Sequence, residues 1–209
     1  MATTVLIADD HPLFRQALAL AVQRVVPDVH LLEAGTLAAA SRTVSEAEDL
    51  RLILLDLKMP GAVGYSGIAL LHAERPEVPI LVVSSAEGES AAQEARAFGA
   101  IGFLRKDTDL SAIEAAIAKA LDSVPPAPVA APTQPEDKVW ETVAGLTPTQ
   151  LKVLLAVLEG QLNKQIAHSL GMSEATVKAH MTAIMRKLDV RNRTQAALVA
   201  RSLGLDLRH

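Results

Sequence analysis

The sequence predicts a doubly wound α/β domain with a five-stranded parallel sheet, followed by a small all-α domain. Two observations predict the first domain: short apolar runs alternate with longer amphipathic stretches, and five such pairs precede residue 122. A third observation is the proline-rich segment 123–135, after which no run typical of a strand occurs. Proline lacks a backbone donor and disfavours helix before it, so this segment is typical of a semi-rigid spacer. We therefore divide the 209 residues into a first domain, 1–122, a Pro/Ala-rich linker, 123–144, and a second domain, 145–209.

The elements of the first domain follow from hydrophobic periodicity. The apolar runs predict strands over residues 4–8, 29–33, 52–55, 80–84 and 102–104. The amphipathic stretches predict helices over residues 12–25, 36–47, 67–74, 90–98 and 109–121. Because the runs are apolar throughout, we expect strands that are buried on both faces beneath two layers of helices.

The second domain is predicted to consist of four short helices. They span residues 148–159, 163–170, 174–188 and 194–203. Thr147 and Pro148 suit the N-cap and first position of the first helix, and Ser173 suits the N-cap of the third. Short helices around a glycine-containing turn are typical of a helix-turn-helix unit.

Composition excludes several classes of protein. Half of the residues are hydrophobic, so the chain can bury sizeable cores and is not globally disordered. No apolar run approaches the ~20 residues of a membrane-spanning helix, and the N-terminus is not typical of a signal peptide. The chain has no cysteine, which excludes disulfides, a thiol nucleophile and thiolate metal ligands. We expect a cytoplasmic protein without a membrane partner.

Charge is distributed unevenly between the two domains. Residues 1–122 hold 10 Lys/Arg and 17 Asp/Glu, a net charge of −7, whereas residues 145–209 hold 9 and 4, a net charge of +5. An acidic first domain and a basic second domain indicate two partners, with a polyanion for the second. Chance scatter of surface charge is the alternative.

Charged and polar residues follow the strands of the first domain. They are Asp9, Asp10, Asp56, Ser84, Arg105 and Lys106. Because the carboxyl ends of parallel strands meet at one edge, we expect these side chains to converge there. Three carboxylates would repel one another unless a cation binds, and Mg²⁺ prefers oxygen ligands.

This combination is typical of phosphoryl chemistry. A carboxylate can act as nucleophile towards a phosphoryl group, while a hydroxyl and an ammonium bind its oxygens. Each residue by itself has a structural alternative. Asp10, for example, could cap the helix that begins at Pro12. Their joint placement at four strand ends favours the functional interpretation.

The first domain resembles the receiver domain of two-component response regulators, which has a flavodoxin-like fold. The matching strings are Asp9-Asp10, Asp56-Leu57-Lys58-Met59-Pro60-Gly61, Ser84-Ser85-Ala86 and Gly102-Phe103-Leu104-Arg105-Lys106. The resemblance implies that Asp56 is the phosphoacceptor. It implies further that Mg²⁺ is held by Asp10, Asp56 and the backbone carbonyl of Lys58, with Asp9 holding it directly or through a water. It also implies that the phosphoryl-binding and switch residues are Ser84, Phe103 and Lys106, with Ser84 preferred to Ser85.

The third helix of the second domain combines an apolar stripe with a basic face. Val177, Met181, Ile184 and Leu188 recur at helical spacing, and small and basic residues lie opposite. Such a face can enter the major groove of DNA. We expect DNA contacts from Lys164, Thr176, Lys178, Ala179, Thr182, Arg186, Lys187 and Arg193. An ordinary solvated basic face is the alternative.

The second domain resembles the LuxR-type helix-turn-helix. The matching strings are Leu146-Thr147-Pro148, Asn163-Lys164-Gln165-Ile166-Ala167, Thr176-Val177-Lys178-Ala179-His180, Lys187-Leu188 and Arg193-Thr194. A receiver followed by this unit resembles the NarL/FixJ class of response regulators. The resemblance implies a transcription regulator that a sensor histidine kinase phosphorylates at Asp56. It implies a homodimer on a palindromic site in double-stranded promoter DNA, with Val199 and Leu203 either at the dimer contact or in the core.

Two other functions stay open. A LuxR-type regulator can have a receiver that acts independently of phosphorylation, under the control of a partner or ligand. An aspartate-nucleophile phosphohydrolase would need a second acid two residues after Asp56, where this chain has Lys58. We therefore predict no turnover enzyme, and expect only self-phosphorylation and slow self-dephosphorylation.

Overall fold

The computed structural model describes residues 3–85, 91–122, 145–202 and 204–205. The described residues form two compact units, one on each side of the segment 123–144 in the chain. The predicted linker lies outside the described residues, so its boundaries stay a prediction.

The first unit is a five-stranded parallel sheet with helices on both faces. Its strands are β1 (Thr4–Ala8), β2 (His30–Ala34), β3 (Leu50–Leu55), β4 (Ile80–Ser84) and β5 (Ala100–Arg105). Its helices are α1 (Pro12–Val25), α2 (Leu37–Glu46), α3 (Ser66–Glu74), α4 (Ala91–Ala97) and α5 (Leu110–Asp122). The strand order is β2-β1-β3-β4-β5. This order reverses direction between β1 and β3, where doubly wound sheets bind ligands.

The core explains why the central strands are apolar throughout. On one face, alternate residues of β1, β3 and β4 pack against α1 and α5, and Ile7, Leu18 and Ile117 lie in this cluster. Leu6 and Leu55, on these central strands, are also fully buried. The predicted double-sided burial is therefore confirmed for β1, β3 and β4.

The two edge strands differ from the prediction. β2 has one buried residue, Ala34, and β5 has one, Ala100, while their other residues are partly or fully exposed. The expectation that all five strands are buried on both faces is wrong for these two. The physical reason is their position, because an edge strand of an open sheet has a neighbour on one side only.

The second unit consists of four helices. They are α6 (Pro148–Leu158), α7 (Asn163–Ser169), α8 (Glu174–Lys187) and α9 (Arg193–Ser202). A capping box between Thr147 and Gln150 starts α6, and the Ser173 side chain accepts a hydrogen bond at the start of α8. Gly160 and Gly171 follow α6 and α7 with positive φ angles of 82° and 63°, which favour glycine at a helix end.

The apolar stripe of α8 is the main packing surface of this unit. Val177, Met181, Ile184 and Leu188 are all buried, and α8 contacts the three other helices. The predicted stripe is thereby confirmed. Across residues 3–85, 91–122, 145–202 and 204–205, we find no helix with the length and apolar character required to cross a bilayer.

Candidate functional site

An acidic cluster lies at the carboxyl ends of β1 and β3. The two strands are neighbours, and the amide of Asp56 donates a 2.8 Å hydrogen bond to the carbonyl of Ala8. Asp9 and Asp56 are buried, whereas the side chain of Asp10 is 32% exposed. Together with His11, these carboxylates offer ligand atoms that all lie within 4.8 Å of one another. The predicted convergence of the three carboxylates is thus observed.

Lys106 joins the cluster from the end of β5. Its Nζ lies 2.8 Å from Oδ2 of Asp56 and 2.6 Å from Oδ2 of Asp9. Burial lowers the pKa of Lys106, but hydrogen bonds and charge from the two carboxylates outweigh burial and raise it above its ordinary value. The ammonium therefore stays protonated and also lies 4.7 Å above the ring of Phe14.

Ser84 contacts the other oxygen of Asp56. Its Oγ donates a 2.7 Å hydrogen bond to Oδ1, which also accepts a 3.1 Å hydrogen bond from the amide of Lys58. Ser84 is fully buried, whereas Ser85 is exposed. The structure therefore brings Ser84 rather than Ser85 to the carboxylate.

The charge balance of the cluster fits a hard divalent cation. Three carboxylates face one ammonium, which leaves two negative charges in a largely buried space. Oδ2 of Asp9 and Oδ1 of Asp10 are buried. Oδ2 of Asp9 faces the Lys106 ammonium at 2.6 Å and Oδ1 of Asp10 faces Nδ1 of His11 at 2.7 Å, and each oxygen has a further lone pair for a cation. Carboxylate oxygens with free lone pairs are the ligands that Mg²⁺ prefers.

The structure does not support the capping alternative for Asp10. The N-cap of α1 is His11, whose own side chain makes no capping hydrogen bond. The carboxylate of Asp10 instead lies 2.7 Å from Nδ1 of His11. Asp10 is thereby available to a ligand in the cluster.

Arg15 supports the cluster and was missed by sequence reasoning. Its Nη1 donates a 2.8 Å hydrogen bond to the carbonyl of Asp9, and its Nε donates one of 2.8 Å to Glu33 on β2. These bonds fix the end of β1 against β2. The only sequence signal is a basic residue one helical turn after the start of α1.

Phe103 lies on β5 and pairs in register with Val82, whereas Ser84 pairs with Arg105. The two predicted switch residues therefore lie on adjacent strands, and Phe103 is two residues before the register partner of Ser84. Phe103 is half-buried, which does not distinguish a switch residue from an aromatic at the edge of the core. Its role stays a prediction.

The face of α8 opposite the apolar stripe is exposed. Its exposed residues are Ala175, Lys178, Ala179, Thr182 and Arg186. Lys164 on α7 and Thr176 at the start of α8 are exposed as well. With Lys187, which is exposed too, the structure presents seven of the eight predicted DNA-contact residues to solvent. Thr182 also donates a 3.0 Å hydrogen bond to the carbonyl of Lys178.

Lys187, although exposed, and the partly buried Arg193 make hydrogen bonds within the second unit. Nζ of Lys187 donates a 2.7 Å hydrogen bond to Gln150 and a second bond to the carbonyl of Gly145. Arg193 donates a 2.7 Å hydrogen bond to Asn163 and another to the carbonyl of Gln161. Sequence reasoning missed these bonds, which tie α8 and α9 to the starts of α6 and α7.

The order of the two units agrees with comparisons to known families. Residues 5–118 match the family described as the response regulator receiver domain, and residues 144–200 match the bacterial regulatory proteins of the luxR family. The chain belongs to the NarL/FixJ class of two-component response regulators. The regulator is therefore a DNA-binding transcription regulator and not an enzyme of the phosphohydrolase type.

Similar proteins span both units. The regulator is 39% identical to the glycerol metabolism activator of Pseudomonas putida over 207 residues, which cover 94% of each chain. It is 32% identical to the nitrate/nitrite response regulator NarP of Escherichia coli over 200 residues, 93% of each chain. The RcsB response regulator of Salmonella typhimurium shares the fold, with a TM-score of 0.53 at 21% identity over 98% of this chain and 100% of that one.

Proposed function

We propose that Asp56 accepts a phosphoryl group from a sensor histidine kinase, and that this modification controls DNA binding by the second unit. The observation that carries the proposal is the environment of the Asp56 carboxylate. One oxygen accepts hydrogen bonds from Ser84 and Lys58, and the other lies against the Lys106 ammonium. Side chains that contact both oxygens of a carboxylate can redirect their hydrogen bonds to the oxygens of a phosphoryl group bound there.

The proposed transfer is a nucleophilic displacement. A carboxylate oxygen of Asp56 attacks phosphorus, the bond from phosphorus to the imidazole nitrogen of the kinase breaks, and an acyl phosphate forms. Lys106 then pairs with one phosphoryl oxygen and Ser84 donates to another. Ser84 is buried and Lys106 is partly buried, and both already contact Asp56, so little reorganisation is required.

Asp9, Asp10, Asp56 and the backbone carbonyl of Lys58 are the residues proposed to hold Mg²⁺. The ion supplies positive charge that offsets the negative charge on the phosphoryl oxygens. Asp9 is held for this task on three sides. Its Oδ1 accepts a 2.8 Å hydrogen bond from the amide of His11, its Oδ2 faces Lys106, and its carbonyl binds Arg15.

The proposed switch begins at Ser84. When its hydroxyl turns to the phosphoryl group, it leaves Oδ1 of Asp56, and the end of β4 shifts its hydrogen bonding. Phe103 on the adjacent strand β5 is proposed to turn inward as this space changes. Phosphorylation in this scheme shifts the populations of two receiver conformations.

The second unit is proposed to place the exposed face of α8 in the major groove. Lys178 and Thr182 point to base edges or phosphates, Ala179 to a thymine methyl, and Lys164 and Arg186 to phosphates. For Lys187 and Arg193, we propose that their bonds within the unit position the helices, and that any phosphate contact is secondary.

A homodimer is proposed through the surface beside α9. Leu198 is 58% exposed there, and a groove of about 410 Å³ adjoins it. The groove is lined by Asp189, Val190, Arg191, Gln195, Leu198 and Val199. Of the two residues predicted at the dimer contact or in the core, Val199 lines this groove and Leu203 lies outside the described residues. A two-fold dimer would match a palindromic site.

The test is selection of genomic DNA fragments by the purified regulator, with and without a small-molecule phosphodonor and Mg²⁺, at fixed salt. We expect a palindromic site to be enriched only with the donor, and Asp56→Asn to lose this enrichment. Asp28→Asn, at an exposed aspartate, is the matched control and retains it. Equal enrichment with and without the donor would contradict control by Asp56. The cytoplasmic location stays a prediction.

A further inference from the structure

We propose that His11 is an additional ligand of the receiver's divalent-cation site, so that this site accepts imidazole-preferring transition ions such as Ni²⁺ as well as Mg²⁺. The inference rests on the cation site of the proposed function and adds one residue to it. It differs in chemistry, because the proposed Mg²⁺ ligands are all oxygens.

The position of the imidazole is suited to coordination. Nδ1 of His11 lies 2.7 Å from Oδ1 of Asp10 and 3.5 Å from Oδ1 of Asp9. Neighbouring ligands of an octahedral ion, with bonds of about 2.1 Å at right angles, lie about 3.0 Å apart. The two observed distances bracket that spacing. A carboxylate oxygen of Asp56 also lies within 4.8 Å of a ring nitrogen of His11.

The backbone fixes His11 while leaving its ring available. The amide of His11 donates to Asp9, which holds the residue next to the cluster. Its φ and ψ angles of −88° and 106° are extended, and its side chain makes no capping bond with α1. The ring is 68% exposed. It can therefore turn towards an ion without disturbing the helix that follows.

Asp9 separates the imidazole from the ammonium of the cluster. Oδ1 of Asp9 lies on the side of His11, 3.5 Å from Nδ1, and Oδ2 of Asp9 contacts Lys106. The imidazole thus approaches the carboxylates from a different side than Lys106 does. Repulsion between Lys106 and a bound dication is present with or without His11, so it does not cancel the contribution of the ring.

The added ligand changes the expected preference for metals. Mg²⁺ favours oxygen ligands and keeps several waters, whereas imidazole is a good ligand for Ni²⁺, Cu²⁺ and Zn²⁺. Removal of the imidazole should therefore weaken Ni²⁺ binding and leave Mg²⁺ binding nearly unchanged. An ion pair between His11 and Asp10 with no metal role predicts no such difference.

The test is calorimetric titration of the untagged full chain with NiCl₂ and, separately, with MgCl₂ at one neutral pH. The variants are His11→Ala and the control His30→Ala, at an exposed histidine at the start of β2. β1 pairs Thr4 with His30, so this control lies at the opposite end of the strand from Asp9. Asp10→Asn reports whether an ion occupies the acidic cluster at all. Ni²⁺ that excess MgCl₂ displaces is identified as the Ni²⁺ bound at this cluster.

We expect His11→Ala to lower the Ni²⁺ affinity at the Mg²⁺-competed site by about tenfold or more, with His30→Ala unchanged. We also expect substoichiometric Mn²⁺ to broaden the ring protons of His11, identified as the signals missing from His11→Ala. A smaller loss of Ni²⁺ affinity, or an equal loss for Ni²⁺ and Mg²⁺, would overturn the role of His11 and leave the cation site in place. If Asp10→Asn changes the binding of neither ion, the cation site itself is overturned.

Discussion

The hydroxyl of Ser84 lies 2.7 Å from Oδ1 of Asp56 and is completely buried. The group proposed to bind a phosphoryl oxygen therefore already contacts the proposed acceptor. Ser84 therefore contributes to the stability of the unmodified receiver, in addition to its proposed role in the switch.

Ser84→Ala should separate phosphorylation from its effect. The change removes the hydrogen bond that Oδ1 accepts from Ser84 and leaves the one from the amide of Lys58. It costs about 2 kcal/mol of the free energy of unfolding, because the lost donor served a buried charge. We expect Asp56 still to be labelled by a phosphodonor, but with a weakened increase in DNA affinity. Urea unfolding and mobility shifts measure the two effects. Ser84→Thr retains the hydroxyl and is the control; a full DNA response of Ser84→Ala would contradict the switch role.

Lys106→Met should destabilise the receiver in a pH-dependent manner. Its ammonium contacts two buried carboxylates, and removing one member of such a group costs about 3 kcal/mol near neutral pH. The pKa of Lys106 is raised in the folded state, so its contribution is complete below the ordinary value of 10.5 and is lost as pH rises through the raised value. The difference from the unsubstituted chain should therefore shrink above pH 10.5.

Urea unfolding across this alkaline range measures that difference. Lys119→Met, at an exposed lysine on α5, is the control for loss of a positive charge. A difference that stays constant through the alkaline range would contradict the ion-pair role of Lys106.

Arg186 and Lys187 are neighbours in sequence but should behave differently. Arg186 is exposed on α8, so Arg186→Ala should weaken DNA binding across sequences and lower the slope of log affinity against log salt by about 1. Lys187→Met removes bonds to Gly145 and Gln150, so it should lower the melting temperature of the second unit. Salt-dependent DNA titration and calorimetry measure both quantities for both variants. Identical behaviour of the two variants would contradict this division.

The contrast between these two residues shows what the sequence could predict. The stripe of Val177, Met181 and Ile184 depends on helical periodicity, which is local, and it was predicted correctly. The bonds of Lys187 depend on how α8 lies against α6, so they could not be read from a neighbouring stretch of chain. In the sequence, Lys187 and Arg186 are simply two adjacent cationic residues at the end of the same helix.

The same distinction applies to the receiver. Strand ends could be located from apolar runs, and the rule that parallel strands end at one edge brought Asp9 and Asp56 together. Strand order is a long-range property, so the partial exposure of β2 and β5 could not be predicted from their composition. The contact from Arg15 to the carbonyl of Asp9 likewise depends on the direction in which α1 leaves β1.

Leu198→Glu should prevent dimerisation through the surface beside α9. Leu198 is 58% exposed next to the groove, and a buried carboxylate without a partner at a dimer contact would be strongly unfavourable. We expect the phosphorylated variant to stay monomeric in sedimentation and to bind single half-sites without the added affinity of a palindrome. Leu20→Glu is the matched control, since Leu20 is 59% exposed on α1. A phosphorylated Leu198→Glu variant that still dimerises would exclude this surface, because the substituted side chain lies at its centre.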